Sequence, residues 1–203
     1  MPEYKLIYFN AMGRAEMVRW LFAYGGVAYT DERIEREDWP EKKKSLPFPK
    51  VPLLMVDGKP LPQSLAMARY AAKEVGLVPE DNLQAAYCDA LADTISEMMG
   101  AMYQIMMSDK DEEEKRRQFK EEFYPNVMEP VMTRLEKRLS DKEWFIGDKI
   151  SWSDLMISLA FGNVKAKKPE IFQKFPTLSA HVDKVRELPK IKEWISKRPV
   201  TAF

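Results

Sequence analysis

Tyr8 stands near the end of an apolar run, Tyr4-Lys5-Leu6-Ile7-Tyr8-Phe9, and a helical pattern begins just beyond it at Arg14. A phenol has a reference pKa near 10, so at neutral pH its hydroxyl is a hydrogen-bond donor. Aimed at a thiol, it favours the thiolate. A hydrogen bond to a charged group contributes about 1.5–3 kcal/mol, or roughly one to two pKa units. A thiol of pKa near 8.5 is about 3% ionised at pH 7, and about 75% at a pKa of 6.5. The more acidic thiolate is a weaker nucleophile, by about tenfold over two units. Activation alone is then worth only a few-fold, and holding the two reactants together must supply the rest. The plain alternative is that Tyr8 is a packing ring. Two further places have ligand-binding chemistry. In Lys50-Val51-Pro52 a cis proline would turn the Val51 backbone outward to pair with an extended ligand, whereas a trans proline would simply start an edge strand. Gln63-Ser64 opens a helical pattern, whose free N–H groups and Ser64 hydroxyl suit a carboxylate or merely cap the helix.

These residues need a strand and a helix mouth to hold them, and residues 1–75 carry that pattern. Tyr4 to Phe9 reads as a buried strand. Arg14 to Tyr24 has Met17, Val18, Leu21 and Phe22 at helical spacing, with Gly25-Gly26 as a stop signal. Val27 to Ile34 predicts a second strand, polar enough for a sheet edge. Pro52 to Val56 predicts a third, Asp57-Gly58 a hairpin turn, and Lys59 to Gln63 the returning strand. Ser64 is expected to cap a helix from Leu65 to Val75. A parallel pair with a crossover helix, closed by an antiparallel hairpin and a helix, is a thioredoxin-like arrangement. The turn after the first strand, Asn10-Ala11-Met12-Gly13-Arg14, holds no cysteine, which excludes dithiol exchange.

Residues 76–82 read as a linker, and residues 83–203 as an all-helical second domain. Leu83, Ala86, Tyr87, Ala90, Leu91, Ile95, Met98, Met99, Met102 and Met106 form one expected apolar stripe. Kinks or breaks are expected at Pro125 and Pro130. Ser151-Trp152-Ser153-Asp154 predicts a capping-box start, with Asp in the usual Glu position. Leu178 to Leu188 and Ile191 to Lys197 complete the helices.

The composition removes several function classes. Lys+Arg and Asp+Glu both number 32, giving a formal net charge of +0. That balance argues against a nucleic-acid binder and against attachment to anionic membranes. No apolar run approaches the roughly 20 residues of a membrane span, and Met1-Pro2-Glu3-Tyr4-Lys5 lacks a signal-peptide layout, so a cytoplasmic protein is expected. With one cysteine, Cys88, and one histidine, His181, the chain has neither an intrachain disulfide nor a multi-histidine metal site. Its glycines compose no phosphate-cradling loop.

Tyr4 to Asn10, Gly13-Arg14-Ala15-Glu16, Asp38-Trp39-Pro40, Leu46-Pro47-Phe48 with Lys50-Val51-Pro52, and Gln63-Ser64, in that order, resemble the sigma-class cytosolic glutathione transferases. That class includes the glutathione-dependent prostaglandin D synthases. The likeness runs through the Ser151–Asp154 cap to Lys197-Arg198-Pro199, essentially the whole chain. It implies a thioredoxin-like α/β domain plus an all-α domain, working as a homodimer with glutathione as co-substrate in a detoxifying role. Tyr8 would hydrogen-bond the glutathione sulfur, and Arg14 would orient Tyr8 or the thiolate. The Val51 backbone, after Pro49 and Lys50 and ahead of a cis Pro52, would pair with the cysteinyl unit. Gln63 and Ser64 would hold the γ-glutamyl carboxylate; Trp39, Lys43 and Lys50 would contact the glycyl end. Glu97 would reach the γ-glutamyl ammonium across the dimer, where an Asp is more usual. Ser96 stands where a further acid would complete the divalent-metal cluster of the prostaglandin synthases, so no metal is expected.

The resemblance further implies a second-substrate site of Met12, Met99, Tyr103 and Phe203, with methionines suited to a permissive apolar pocket. Met12 in place of an Arg, and Gln104 in place of a Trp, favour conjugation of small apolar electrophiles over prostaglandin isomerisation. A glutathione-dependent isomerase or peroxidase acting on lipid-derived substrates is the alternative. A non-catalytic protein of the same fold is a third reading. Asp89, Asp93 and Glu97 share a helix face, which otherwise reads as a solvated acidic stripe. Cys88 is expected to be buried or near the interface rather than reactive, and His181 to lie on the surface.

Overall fold

The computed structural model describes residues 2–201, which form two compact units. One contains the residues up to Val78 together with those from Glu187 onward; the other spans Pro79–Arg186.

In the first unit, β1 (Tyr4–Phe9) leads through a 3-10 turn (Gly13–Ala15) into α1 (Glu16–Gly25). Then come β2 (Thr30–Ile34), α2 (Trp39–Ser45), β3 (Leu53–Val56), β4 (Lys59–Pro62) and α3 (Ser64–Glu74). The sheet order is β2-β1-β3-β4, with β1 parallel to β2 and antiparallel to β3, and β3 antiparallel to β4. This is the thioredoxin-like arrangement, with the polar β2 at an edge. Asp57 and Gly58 both have positive φ, 47° and 75°, as a tight turn between twisted strands requires. Strand β2 starts three residues later than the apolar pattern suggests. Gly26 adopts a left-handed φ of 65°, and the Val27 N–H bonds back to the Phe22 carbonyl at 2.9 Å. Val27 thus ends α1 as part of a Schellman-type cap.

The residues from 187 onward carry α9 (Pro189–Lys197). The Trp194 Nε1–H and an Arg198 N–H each donate to Glu16 Oε1 at 2.8 Å. Glu16 is 1% exposed, so these donors satisfy a buried carboxylate and tie α9 to α1. The expected helical domain, 83–203, therefore differs from the observed second unit over its last residues.

The second unit begins with α4 (Asn82–Met106), capped by Asp81, which accepts from the Gln84 N–H at 2.8 Å. Next, α5 (Glu112–Gln118) runs into a π-helical stretch (Phe119–Met128) and then α6 (Glu129–Leu139). Pro125, which has no N–H to donate, lies inside the π-helical stretch, and Pro130 lies in the first turn of α6. The helix thus changes type at these prolines rather than stopping. The unit closes with α7 (Trp152–Lys167), a 3-10 turn (Pro169–Lys174) and α8 (Pro176–Arg186).

Helix α7 is buried on all sides from Trp152 to Leu159. Its capping box has the Ser151 N–H donating to Asp154 Oδ2 at 2.8 Å, while Asp154 Oδ1 accepts from the Phe145 N–H at 3.0 Å. His181 corrects the surface expectation: it is 3% exposed. It packs edge-on to Phe145 at 4.8 Å and to Trp144 at 5.8 Å. It shares the buried face of α8 with Leu178, Val182 and Val185, and the charged neighbours Asp183 and Lys184 turn outward. Burial, reinforced by Lys184, lowers its pKa to about 4.

The single stripe expected on α4 divides in two. Cys88, Ala92, Ile95 and Met98 make the buried seam. Leu83, Tyr87, Met99 and Met106 are exposed. Small residues at 88 and 92 let α4 approach its neighbours, and the larger apolar side chains are left facing outward.

Candidate functional site

The register aligns Ile7 of β1 with Leu53 of β3, and Leu53 with Pro62 of β4. The chain ends of β1 and β4 and the start of β3 therefore lie at one end of the sheet. Tyr8, Pro52 and Gln63 each stand one residue beyond this aligned row, across neighbouring strands spaced about 4.8 Å apart.

Tyr8 is half-buried, its ring edge-on to Phe9 at 5.6 Å, and Phe9 is in turn edge-on to Trp39 at 5.2 Å. The backbone N–H of Arg14 donates to the Tyr8 hydroxyl oxygen at 3.3 Å. The phenol's own proton is left to donate elsewhere, and accepting one hydrogen bond strengthens the donation of another. Gly13 makes this possible in two ways. Its φ of +41° is left-handed, and a Cβ there would come within 2.5 Å of the Tyr8 hydroxyl. The Arg14 main chain thus braces the phenol, and its side chain is exposed.

The turn holding that N–H is fixed from below. Arg19, fully buried, donates to the Ala11 carbonyl at 2.7 Å and pairs with Asp31 at 3.2 Å and Glu16 at 3.3 Å. Sequence reasoning missed Arg19 and Glu16, because charged residues in a helix otherwise patterned by its apolar positions read as solvent-facing. Their separation of three, which lets opposite charges meet on one helix face, was the available signal.

The Val51–Pro52 peptide is cis. Pro52 is buried, and Val51 packs on a cluster of Ile7, Ile34 and Leu53 beside Trp39 and Leu46. Among the described residues, neither the N–H nor the C=O of Val51 is hydrogen-bonded. Gln63 adopts φ 74° and ψ 112°, a conformation that costs a non-glycine residue about 1–3 kcal/mol. It is Gln63, not Ser64, that occupies the N-cap position of α3; Ser64 is the first helical residue. No side chain caps this end, so the first-turn N–H groups are open to an anion.

Three lysines follow one another on α2. Lys42 pairs with Glu32, and Lys44 with Glu41 at 2.6 Å. Lys43 and Lys50 are exposed, and neither has a partner among the described residues. Trp39 and Met12 are half-buried and Pro49 is exposed. In the second unit, Glu97, Met99 and Tyr103 are exposed on α4. A groove of about 520 Å³ there is lined by Gln104, Ala101, Ile105 and Phe123, and by neither Met99 nor Tyr103. Phe203 lies outside the described residues. Among the described residues no group of three or more His, Cys, Asp or Glu side chains could hold a metal ion. No helix among them is long and apolar enough to cross a membrane.

Residues 4–73 match the family model of the glutathione S-transferase N-terminal domain, and residues 93–198 that of the C-terminal domain. The chain is 41% identical to the hematopoietic prostaglandin D synthase of Gallus gallus over 203 residues, covering all of both chains. It is 34% identical to glutathione S-transferase 1 of Ascaris suum over 207 aligned residues, again covering both entirely. Among solved structures, rat hPGDS complexed with a quinoline superposes with a TM-score of 0.89 at 38% identity, covering all of each chain.

Proposed function

The chain belongs to the glutathione S-transferase family, and we propose that its Tyr8 hydroxyl stabilises the glutathione thiolate for attack on small apolar electrophiles. The enzyme class and the co-substrate come with the family. The assignments to individual residues are our reading.

In that reading the glutathione thiol loses its proton to solvent, and the Tyr8 hydroxyl donates to the sulfur anion. The sulfur lone pair forms the new S–C bond. With an aryl halide, the halide then leaves with the electrons of the broken bond. The observation that carries this role is the Tyr8 hydroxyl accepting the Arg14 N–H at 3.3 Å, which fixes the oxygen and leaves its proton for the sulfur. Around it, the Val51 backbone, unpaired among the described residues, takes the cysteinyl unit. Gln63, Ser64 and the open N-terminus of α3 take the γ-glutamyl carboxylate. Trp39 holds the glycyl end beside Pro49, together with Lys43 and Lys50, which have no partner among the described residues. Met12, half-buried on the first unit, is our candidate for contacting the electrophile.

We assign the protein to the sigma class, as a cytoplasmic homodimer with a detoxifying role. Exposed Leu83 and Tyr87, 59% and 46% accessible in the single chain, support a partner on α4. In the dimer Glu97 serves the neighbouring site. A prostaglandin D synthase-like isomerase is the second reading, supported by the identity to the chicken enzyme and disfavoured by Met12 and Gln104.

Conjugation of glutathione to a generic aryl halide, compared between the parent and Tyr8→Phe from pH 6 to 9, tests the assignment. The variant should lose most of its rate near neutral pH and recover as the pH rises and free thiol ionises. Equal profiles would remove Tyr8 from the mechanism.

A further inference from the structure

Helix α2 carries Trp39 and Lys43, yet buries none of its residues. A seven-residue helix is marginal by itself, so something outside it must hold it in place. Its two ends are anchored by packing, since Trp39 at the start and Leu46 just past the end both rest on the Ile7–Ile34–Leu53 cluster. Its middle is held by charge. Lys42 pairs with Glu32 on β2, and Glu32 also receives Lys5 of β1 at 2.6 Å. The carboxylate, 23% exposed, lies between the ammonium groups of Lys5 on β1 and Lys42 on α2. Burial by itself would raise the Glu32 pKa, but Lys42 and Lys5 outweigh it and hold the carboxyl below its ordinary value.

We infer that the Lys5–Glu32–Lys42 bridge is a positioning device for glutathione: it fixes α2 against the sheet so that Trp39 and Lys43 meet the glycyl end. Neither Glu32 nor Lys42 touches the ligand in this arrangement. Lys43 is presented because its neighbour Lys42 is committed to Glu32 on one side and Lys44 to Glu41 on the other. The inference rests on the assignment of the glycyl end to α2 made above.

The test uses the full-length protein and the variants Glu32→Gln, Lys42→Met, the double variant and Lys42→Arg. For a part-buried ion pair the expected effect is a rise of about two- to fivefold in the KM and calorimetric Kd for glutathione. The kcat at saturating glutathione and the KM for the aryl halide should stay unchanged. The double variant should lose no more than the worse single variant, because both remove one interaction. Lys42→Arg, which keeps the charge, should restore parental affinity. The discriminating ligand is γ-glutamylcysteine, which lacks the glycyl unit. Parent and variants should bind it alike if the bridge acts only through the glycyl end. An unchanged glutathione Kd in the single variants would overturn the inference, as would an equal loss for γ-glutamylcysteine. A parent that binds glutathione well but shows no Tyr8-dependent conjugation would instead overturn the proposed chemistry and leave the bridge standing.

Discussion

Helices α7 and α2 are held by opposite means. Helix α7 is enclosed by apolar contacts from Trp152 to Leu159 and begins on a buried, fully hydrogen-bonded capping box. No residue of helix α2 is fully buried, and the helix rests on its two ends and one ion-pair bridge. The first helix is a device for stability, where any defect exposes or strands buried groups. In our assignment the second serves recognition, with Lys43 left exposed because so little of the helix is consumed by packing. Substitutions should therefore separate cleanly: those around α7 should change folding free energy, and those on α2 should change affinity for glutathione.

The largest effect is expected at Asp154. Its carboxylate accepts the Phe145 and Ser151 N–H groups at 3.0 and 2.8 Å and the Ser151 hydroxyl at 2.8 Å, all in buried surroundings. Asp154→Ala leaves the two N–H groups without an acceptor, while the Ser151 hydroxyl keeps that of Ser153 at 2.8 Å; the cost is about 1–3 kcal/mol for each buried group stranded. A loss of about 3–5 kcal/mol in urea unfolding is expected, with the glutathione Kd of the remaining folded protein unchanged. A loss below about 1 kcal/mol, the scale of an ordinary cap substitution, would mean the box is not the keystone its burial suggests.

Next in size is the acid sensitivity given by His181. Its folded pKa of about 4 lies below the ordinary 6.5 because burial, then Lys184, disfavours the charged ring. The unfolded chain binds this proton more readily, so stability is full above about pH 6.5 and falls as the pH drops toward 4. The integrated loss is about 3 kcal/mol. Nε2 lies 3.3 Å from Asp154 Oδ1 but without hydrogen-bond alignment; the ring accordingly behaves as a buried neutral group, not as half of an ion pair. Burial raises the Asp154 pKa, which gives that carboxyl an opposite pH dependence. The quantity to measure is therefore the difference between parent and His181→Leu in urea midpoints from pH 7 to 4. The variant should lose about 3 kcal/mol less than the parent over that window. Parallel curves would mean that His181 ionises freely in the folded state.

The contrast between the two helices also marks how far the sequence could be read. Elements whose patterns are local were legible. The β1 run, the Asp57-Gly58 turn and the Ser151–Asp154 box each depend on residues within a few positions of one another, and each stands where expected. What was hidden depends on partners distant in sequence. His181 looked polar among Asp183 and Lys184, and only the placement of Phe145 and Asp154 shows its face to be internal. The expected α4 stripe ran through Tyr87, Ala90 and Leu91, while the seam chosen by packing uses Cys88 and Ala92 before Ile95 and Met98. At the site, Tyr8, Pro52 and Gln63 were readable as positions. The Gly13 contact under the Tyr8 hydroxyl and the Arg19 brace beneath the turn exist only once the chain has folded back on itself. Lys42 and Lys43 are indistinguishable in one dimension, and their different fates are set by Glu32 on a strand ten residues earlier than Lys42.

That last distinction supplies the smallest and most specific effect. Lys43 is exposed and unpartnered among the described residues, so its removal strands no group and opens no cavity. Lys43→Ala should shift folding stability by no more than about 0.5 kcal/mol, as for other surface positions. The lost charge–carboxylate contact, about 0.2–1 kcal/mol at an exposed site, should raise the glutathione Kd by roughly one-and-a-half- to fivefold, leaving the response to γ-glutamylcysteine unaltered. Calorimetric titration beside thermal unfolding reads both quantities on one preparation. If Lys43→Ala instead lowered stability while leaving the Kd untouched, α2 would be a packing element after all. The division of labour between the two helices would then have to be drawn elsewhere, with Lys50 as the remaining candidate cation for the glycyl end.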